Sequence, residues 1–512
     1  NSSNVLGSSL HIPYFHTLSD TTDITFKPTI FDDSIFMLQS EYRQNSENSN
    51  FVADVGLTKG YKNKSEGGKK NSIGHLFAKF TSKLNLNNFI KSDLDFSIQK
   101  TTKDTFLKVF ETNLINMNSS IKPSNQDKLK SEINLKLQHK NYNFNSGFIA
   151  YESLSGENSD RYEYVLPYYD FSRRVYKNDI FNLNFTSSGE NNLSETNKLK
   201  STVNNNLNLD SVDFFSDFGF RNKFSINFKN LNSVGKNVDN YKSSPQVEIM
   251  NLINLESSLP LIKTENEYNS LITPKLSFRV NPSDMKNYTD AERNIDANNI
   301  FDINRLGISD SFEQGKSLTL GIDYKKESLE NINKYFELKL AGVLRDVEQR
   351  NIPKSTSINQ KSSNLFGSST YNFSENFNLD YDFSIDNDLN TFEQNSVGFG
   401  LNFNKFSNEL KLTEYNGKMG DTNVWENSSR IKFNEDNSLT FNTRRNRKLS
   451  LTEYYNLVYE YKNDCLVAGL KYKKSYYEDR DLKPKEDLFF TITIFPLSQY
   501  EQKIDDSVYR GN

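Results

Sequence analysis

The chain is predicted to be all-β, a large transmembrane antiparallel β-barrel of roughly 24–26 strands with long polar extracellular loops. Three observations carry this. Apolar residues recur with a period of two along almost the whole sequence, the mark of a strand with one apolar and one polar face. Only 35% of the 512 residues are hydrophobic, yet 39 are Phe and 27 Tyr, where a water-soluble core of this size would lean on Leu, Ile and Val. No run approaches the ~18–20 apolar residues of a membrane-spanning helix.

The alternation begins at Ile24, Phe26, Pro28 and Ile30 and recurs at Leu94/Phe96/Ile98. Ile133, Leu135 and Leu137 then alternate with Asn134, Lys136 and Gln138. It continues at Phe181/Leu183/Phe185, Phe224/Ile226/Phe228, Leu318/Leu320/Ile322/Tyr324, Leu379/Tyr381/Phe383/Ile385 and Val397/Phe399/Leu401/Phe403, and ends at Phe490/Ile492/Ile494. Polar clusters at Gln44–Asn50, Lys62–Asn71, Gly189–Lys198 and Asn230–Ser244 carry turn and loop chemistry. No segment sustains a 3.6-residue apolar period over three turns. A sandwich or propeller would bury its apolar faces against one another and show blade-length repeats, which are absent. Strands that are apolar toward lipid and polar toward a wet interior account for the low hydrophobicity. At ~10 residues per strand and as many again per connection, the length sets the strand number given above.

Gly (22) and Pro (11) are spread thinly and mark no linker, so residues 1–500 read as one barrel domain, followed by a polar tail at 501–512. A net charge of −4 argues against a nucleic-acid partner bound through gross basic charge. The chain opens at Asn1 without an initiator Met or signal-like segment, as expected of a mature chain or fragment, and this leaves the compartment open.

Catalytic chemistry has no foothold. His11, His16, His75 and His139 are scattered, and metalloprotease, nucleophile-elbow, P-loop and paired-cysteine signatures are missing, so neither an enzyme nor a cofactor or metal site is expected. The prolines say more, because each removes a ladder donor and is confined to strand ends, edges and bulges. Pro13 lies in Leu10–Phe15 and Pro28 in the alternating run Ile24–Ile30. They are either ordinary strand-end prolines or a deliberate weakening of the seam where first and last strands meet. Cys465 is the single cysteine and forms no disulfide within the chain. It is either a small packed hydrophobe or the partner of a cysteine elsewhere.

Three groups of residues in one order resemble the LptD family of lipopolysaccharide-assembly proteins. The first is His11-Ile-Pro-Tyr-Phe15, Asp23-Ile-Thr-Phe-Lys-Pro28 and Glu41-Tyr-Arg43. The second is Thr273-Pro274-Lys-Leu-Ser-Phe, Asp302-Ile-Asn304-Arg305-Leu-Gly307 and Gly315-Lys-Ser-Leu-Thr-Leu-Gly321. The third is Tyr454–Tyr461, Asn463-Asp464-Cys465 and Phe489-Phe-Thr-Ile-Thr-Ile-Phe495.

The resemblance implies a translocon in the outer membrane of a Gram-negative bacterium that inserts lipopolysaccharide into the outer leaflet. Its route would be a lateral gate between first and last strands. Pro13 and Pro28, with Ile24 and Phe26, would flank one side of that gate, and Phe490, Ile492 and Ile494 of a final strand at about 488–495 the other. Asn304, Arg305 and Gly307 match a family motif. Cys465 would bridge to a cysteine upstream of Asn1, although Asp464 stands where many members carry a second cysteine. The resemblance also implies a periplasmic jelly-roll domain upstream of Asn1, through which the periplasmic Lpt bridge would dock. No plug is expected from the sequence itself, so a separate lipoprotein of the LptE type would seat in the interior. A nutrient-uptake barrel of the porin or TonB-dependent receptor type and a surface β-rich adhesin are the competing readings.

Overall fold

A computed structural model describes residues 2–3, 6–31, 35–60, 73–111, 114, 117–155, 160–476 and 484–494. The first strands are β1 (Ser2–Ser3), β2 (Gly7–His11), β3 (Tyr14–Ser19), β4 (Thr22–Phe31), β5 (Ile35–Asn45), β6 (Ser49–Thr58), β7 (Ile73–Lys83) and β8 (Lys91–Thr101). A single-turn helix, α1 (Phe106–Val109), follows. Next come β9 (Lys128–Gln138), β10 (Tyr142–Ser153), β11 (Tyr162–Lys177), β12 (Phe181–Ser194), β13 (Lys198–Ser211), β14 (Phe214–Phe215), β15 (Arg221–Lys236), β16 (Gln246–Ser258), β17 (Leu261–Thr264), β18 (Tyr268–Asn281), β19 (Gly315–Ser328) and β20 (Tyr335–Arg345). The last are β21 (Leu365–Ser374), β22 (Phe377–Ile385), β23 (Phe392–Phe403), β24 (Phe406–Tyr415), β25 (Thr422–Lys432), β26 (Asn437–Asn446), β27 (Leu451–Lys462), β28 (Leu466–Ser475) and β29 (Glu486–Ile494).

All 29 segments belong to one antiparallel sheet in which each strand pairs with its neighbours in sequence. Three breaks are interruptions within a strand. β2 and β3 both pair with β4 in unshifted register around Ile12-Pro13. β16 and β17 both pair with β18 around Leu259-Pro260. β13 and β14 follow one another along β15. Joining these leaves 26 strands, within the range expected from chain length. β29 pairs with β1 through Ser2↔Leu488 and Ser3↔Asp487, and β1 pairs with β2, so the succession of pairings returns to its start.

The connections sort by end. At one end they have two to seven residues, as at 20–21, 84–90 and 463–465. At the other they reach 33 residues (282–314), with 102–127 and 346–364 also long. In outer-membrane barrels short turns are periplasmic and long loops extracellular.

Burial follows the alternation and is inverted relative to a soluble protein. Along β15, Ser225, Asn227 and Lys229 are buried while Ile226 and Phe228 are exposed. The neighbouring strand repeats this, with Ile249 57% exposed and Asn254 1% exposed. Apolar side chains left in water on this scale would be costly, so the outer faces belong in lipid. The polar faces then line the interior.

Two expectations about loops need correction. Gly189–Lys198 is largely strand and Asn230–Ser244 is strand over its first half: β12 runs to Ser194 and β15 to Lys236, leaving turns at 195–197 and 237–245. Asn and Ser are poor strand formers, but here their backbones sit in long ladders that pay no regard to side-chain propensity. Lys62–Asn71 and the 501–512 tail lie outside the described residues.

The interior also holds more of this chain than expected. Segment 102–127 folds back so that Phe106, Leu107, Val109 and Phe110 form one buried cluster with Phe31, Met37, Ile73 and Phe77 of the wall. Segments 282–314 and 346–364 make a second cluster, with Ile295, Ile300, Leu306, Ile352 and Ile358 against Ala341, Val343 and Phe366. Part of the space assigned to a separate plug is occupied by these loops. Their apolar residues are too few and irregularly spaced to announce themselves in the sequence.

Candidate functional site

The first strands are weak for a backbone reason. Ile12 donates its N–H to the carbonyl of Pro28 at 3.4 Å, so Ile12 and Pro28 face each other as a pair that would ordinarily exchange two bonds. Pro28 has no N–H, and the return bond to Ile12 is absent. Successive residues of a strand direct their backbone groups to opposite neighbours, so the donor missing at Pro13 is missing from the edge that faces away from β4. On that side β2 pairs with β1, and β29 lies beyond β1. The strand formed by β2 and β3 is therefore one ladder bond short on each side at one level, lacking its own donor at Pro13 and the donor of Pro28 from β4, and its register with β4 shifts between Thr17 and Ser19.

Ile24 and Phe26 lie on β4, and Phe490 (59% exposed) and Ile492 on β29, all on the lipid-facing side. The structure does not bring the two groups together: β4 pairs with β2, β3 and β5, and β29 with β28 and β1, so other strands stand between them. The last strand covers Glu486–Ile494, and Phe495 lies outside the described residues. The expectation that the Pro13 strand is the first is also amended, because β1 precedes it.

Behind Pro28 the interior wall carries a buried charge ladder. Lys27 Nζ contacts Glu41 at 2.7 Å and Asp54 at 3.4 Å, and Asp54 also meets Gln39 at 3.0 Å and the His75 ring at 2.6 Å. Four strands, β4 to β7, each supply a member. At the short-turn end a concavity crosses β8 to β12, lined by Lys91, Lys136, Gln138, Asn145, Asp170 and Ser188. It offers ammonium, carboxylate, amide and hydroxyl groups, the set that hydrogen-bonds to sugars and phosphates.

The motif residues Asn304, Arg305 and Gly307 hold loop 282–314 in place. Arg305 grips Glu313 through Nε at 2.6 Å and Nη2 at 2.5 Å, and also donates to Thr319 Oγ1 at 2.9 Å and the Ile300 carbonyl at 3.0 Å. Arg345 also bonds Glu313, and Arg279 lies 3.8 Å from it while donating to the carbonyls of Phe301 and Asp302. Burial alone would push the Glu313 carboxyl up, but Arg305 and Arg345 override it and hold the group far below the usual carboxylate range. The Asn304 side chain accepts from the Ile308 amide, and Gly307 takes a left-handed φ of +62° that favours glycine. Farther along, Asp310 accepts from Tyr241 and Tyr288; burial and these bonds push both phenols up.

Sequence reasoning missed Glu313, Arg279 and Arg345. Their signal, two arginines at the ends of alternating strands and one acidic residue in a polar loop, is indistinguishable from ordinary rim charge until the loop is seen to return. Cys465 is exposed in the 463–465 turn, at the short-turn end. No group of three or more potential metal ligands occurs among the described residues.

No curated protein matches the chain. Among solved structures it is similar to the siderophore receptor PirA from Pseudomonas aeruginosa, at 7% identity over 97% of this chain and 80% of that one, with a TM-score of 0.40. It is also similar to the FrpB iron transporter (F5-1 variant) from Neisseria meningitidis, at 9% identity, 93% and 82% coverage and a TM-score of 0.33. The P pilus usher PapC translocation pore aligns at 10% identity over 94% of each chain, with a TM-score of 0.25. The family model described as "LptD: LPS transport system D" matches residues 76–413, well over half the chain. With the strand count and the inside-out burial already described, this chain belongs to the LptD family and is a lipopolysaccharide-transport barrel of the Gram-negative outer membrane.

Proposed function

We propose that lipopolysaccharide leaves this barrel sideways into the outer leaflet, through the seam where β29, the short β1 and the strand formed by β2 and β3 meet. The observation that carries this is that Pro13, in the strand formed by β2 and β3, and Pro28, in β4, leave that strand one bond short on each of its edges. Opening a barrel wall exposes N–H and C=O groups to lipid at several kcal/mol per group, roughly. A strand that lacks two of those bonds from the outset lowers that cost locally. The sugar and phosphate head would travel along the polar interior wall, past the concavity at β8–β12 and the Lys27 ladder, while the acyl chains pass through the seam. The chain carries no nucleotide-binding signature, so the driving force would come through a periplasmic bridge docked on a jelly roll upstream. A lipoprotein of the LptE type would complete the filling that the inward loops begin. Cys465, in the turn at the short-turn end, would form a disulfide with that upstream region.

The test is photo-crosslinking in the full-length protein, with the crosslinking side chain at Ile24 and, as control, at Leu320 in β19. Pulse-labelled lipopolysaccharide captured at Ile24 and not at Leu320 supports the lateral exit. Absence of adducts at both sites, in protein shown to be inserted, overturns it.

A further inference from the structure

We infer that segment Thr102–Glu111 is a strap that crosses the seam on the interior side and fastens β28 and β29 to the first strands, with Glu111 and Lys473 as its latch. This rests on the lateral-exit reading, and gives that exit a device for staying shut.

The two ends of the segment are held by different forces. On the side of the first strands the grip is apolar: the Phe106 ring lies 5.1 Å from His75 and 4.9 Å from Phe110, which meets Phe31 at 6.3 Å. Leu6, in the β1–β2 connection, joins the same buried cluster. On the side of the last strands the grip is ionic. Lys473 of β28 donates to both carboxylate oxygens of Glu111, at 2.8 and 2.9 Å. Lys485, which leads into β29, donates to the carbonyls of Lys108 and Val109 at the end of α1, at 3.1 and 3.3 Å, and it also pairs with Asp487 at 3.1 Å.

Lys473 faces inward because it sits opposite Asp487, which is buried, while the next pair, Tyr472 and Leu488, carries the exposed Leu488. The segment thus touches β4 and β7 on one flank of the seam and β28 and β29 on the other. The apolar end has no charge to lose and acts as the anchor. The ionic end is half-buried, is made by three long side chains, and can exchange its partners for water or for an anionic head group at modest cost. Parting β29 from the first strands at the long-loop end requires these contacts to break.

The test uses the full-length protein in outer-membrane vesicles, with spin labels on unnatural side chains at His16 in β3 and Ile492 in β29. Glu111→Gln and Lys473→Gln should each raise the fraction of widely spaced label pairs roughly three- to tenfold, the effect of losing a half-buried ion pair. The distant single-charge change Lys354→Gln should leave it unchanged. Lys485→Gln gives the same expected widening should a first variant fail to assemble, with heat-dependent gel mobility reporting insertion. Spacing equal to wild type in the inserted latch variants, or widened as much by Lys354→Gln, overturns the strap. Lipopolysaccharide capture at Ile24 is read in the same samples. Capture with unchanged spacing removes the strap and leaves the lateral exit, whereas widened spacing with no capture in any sample keeps the strap and removes the exit.

Discussion

Replacing Glu313 with glutamine keeps the shape of the side chain and removes the carboxylate that, among the described residues, pairs with all three buried guanidiniums. Arg305 and Arg345 are hydrogen-bonded to Glu313, and Arg279 lies within 3.8 Å. Their remaining partners are carbonyls and hydroxyls, which satisfy N–H groups without neutralising charge. Removing one partner of a buried ionic group costs about 3–5 kcal/mol. The penalty should fall on the docking of loop 282–314, because the strand ladders beneath it are held by backbone bonds that the substitution does not touch. Converted to populations, the opened loop becomes more frequent by roughly two to three and a half orders of magnitude. Hydrogen exchange by mass spectrometry on the purified full-length protein reads this directly, since exchange in a locally opening segment tracks its opening free energy. Protection across 300–311, which includes the Gly307 amide bonded to the Asn304 carbonyl at 2.9 Å, should fall by that factor. Exchange in β22–β24 should not change. Protection at 300–311 within about twofold of wild type would refute the claim that this charge cluster holds the loop.

Further outcomes follow from other parts of the structure. Lys473 and Lys485 override the upward push of burial and hold the Glu111 carboxyl at about 2, below its ordinary 4.5. A depressed carboxylate contributes its full stabilisation above the ordinary value and loses it as pH falls toward the folded one, so label spacing across the seam should be constant from pH 7 to 5 and widen only between about 4.5 and 2. Lys27→Met removes the ammonium shared by the buried Glu41 and Asp54, leaving Arg43 at 3.8 Å from Glu41 and the His75 ring on Asp54, and should cost about 3–5 kcal/mol, seen as a lower temperature for the heat-dependent shift in gel mobility. Pro28→Ala returns the missing donor opposite Ile12, worth about 0.5–1.5 kcal/mol, and should cut lipopolysaccharide capture at Ile24 several-fold without impairing insertion. In the full-length protein Cys465→Ser should abolish any mobility difference between reduced and non-reduced samples; persistence of a difference would place the disulfide elsewhere.

The fold was legible because the strand signal is local. Leu318, Leu320 and Ile322 alternate with Ser317, Thr319 and Gly321, and in the structure the first set is turned outward and the second inward. Pro13 and Pro28 were legible for the same reason, since a missing donor belongs to the residue itself. The polar stretches at Gly189–Lys198 and Asn230–Ser244 misled because Asn and Ser favour turns in isolation, whereas β12, β13 and β15 hold them in ladders of twelve or more pairs. Arg305 could be singled out by its motif, but its partner Glu313 could not, being one acidic residue among many in a polar loop.

The sequence by itself determined that this protein is a barrel turned inside out, through alternation, its size, through chain length, and where its backbone is short of hydrogen bonds, through Pro13 and Pro28, because alternation and a missing donor are local and length is a simple sum. What only the tertiary structure decided is which charges meet and which loops turn inward. Glu111 and Lys473 are separated by 362 positions, and Arg345 reaches Glu313 only because β20 ends beside the returning loop. Such meetings are fixed by strand register around the whole ring and by where a few apolar side chains such as Phe106 and Phe110 find a wall to pack against, and neither leaves a periodic trace in the sequence.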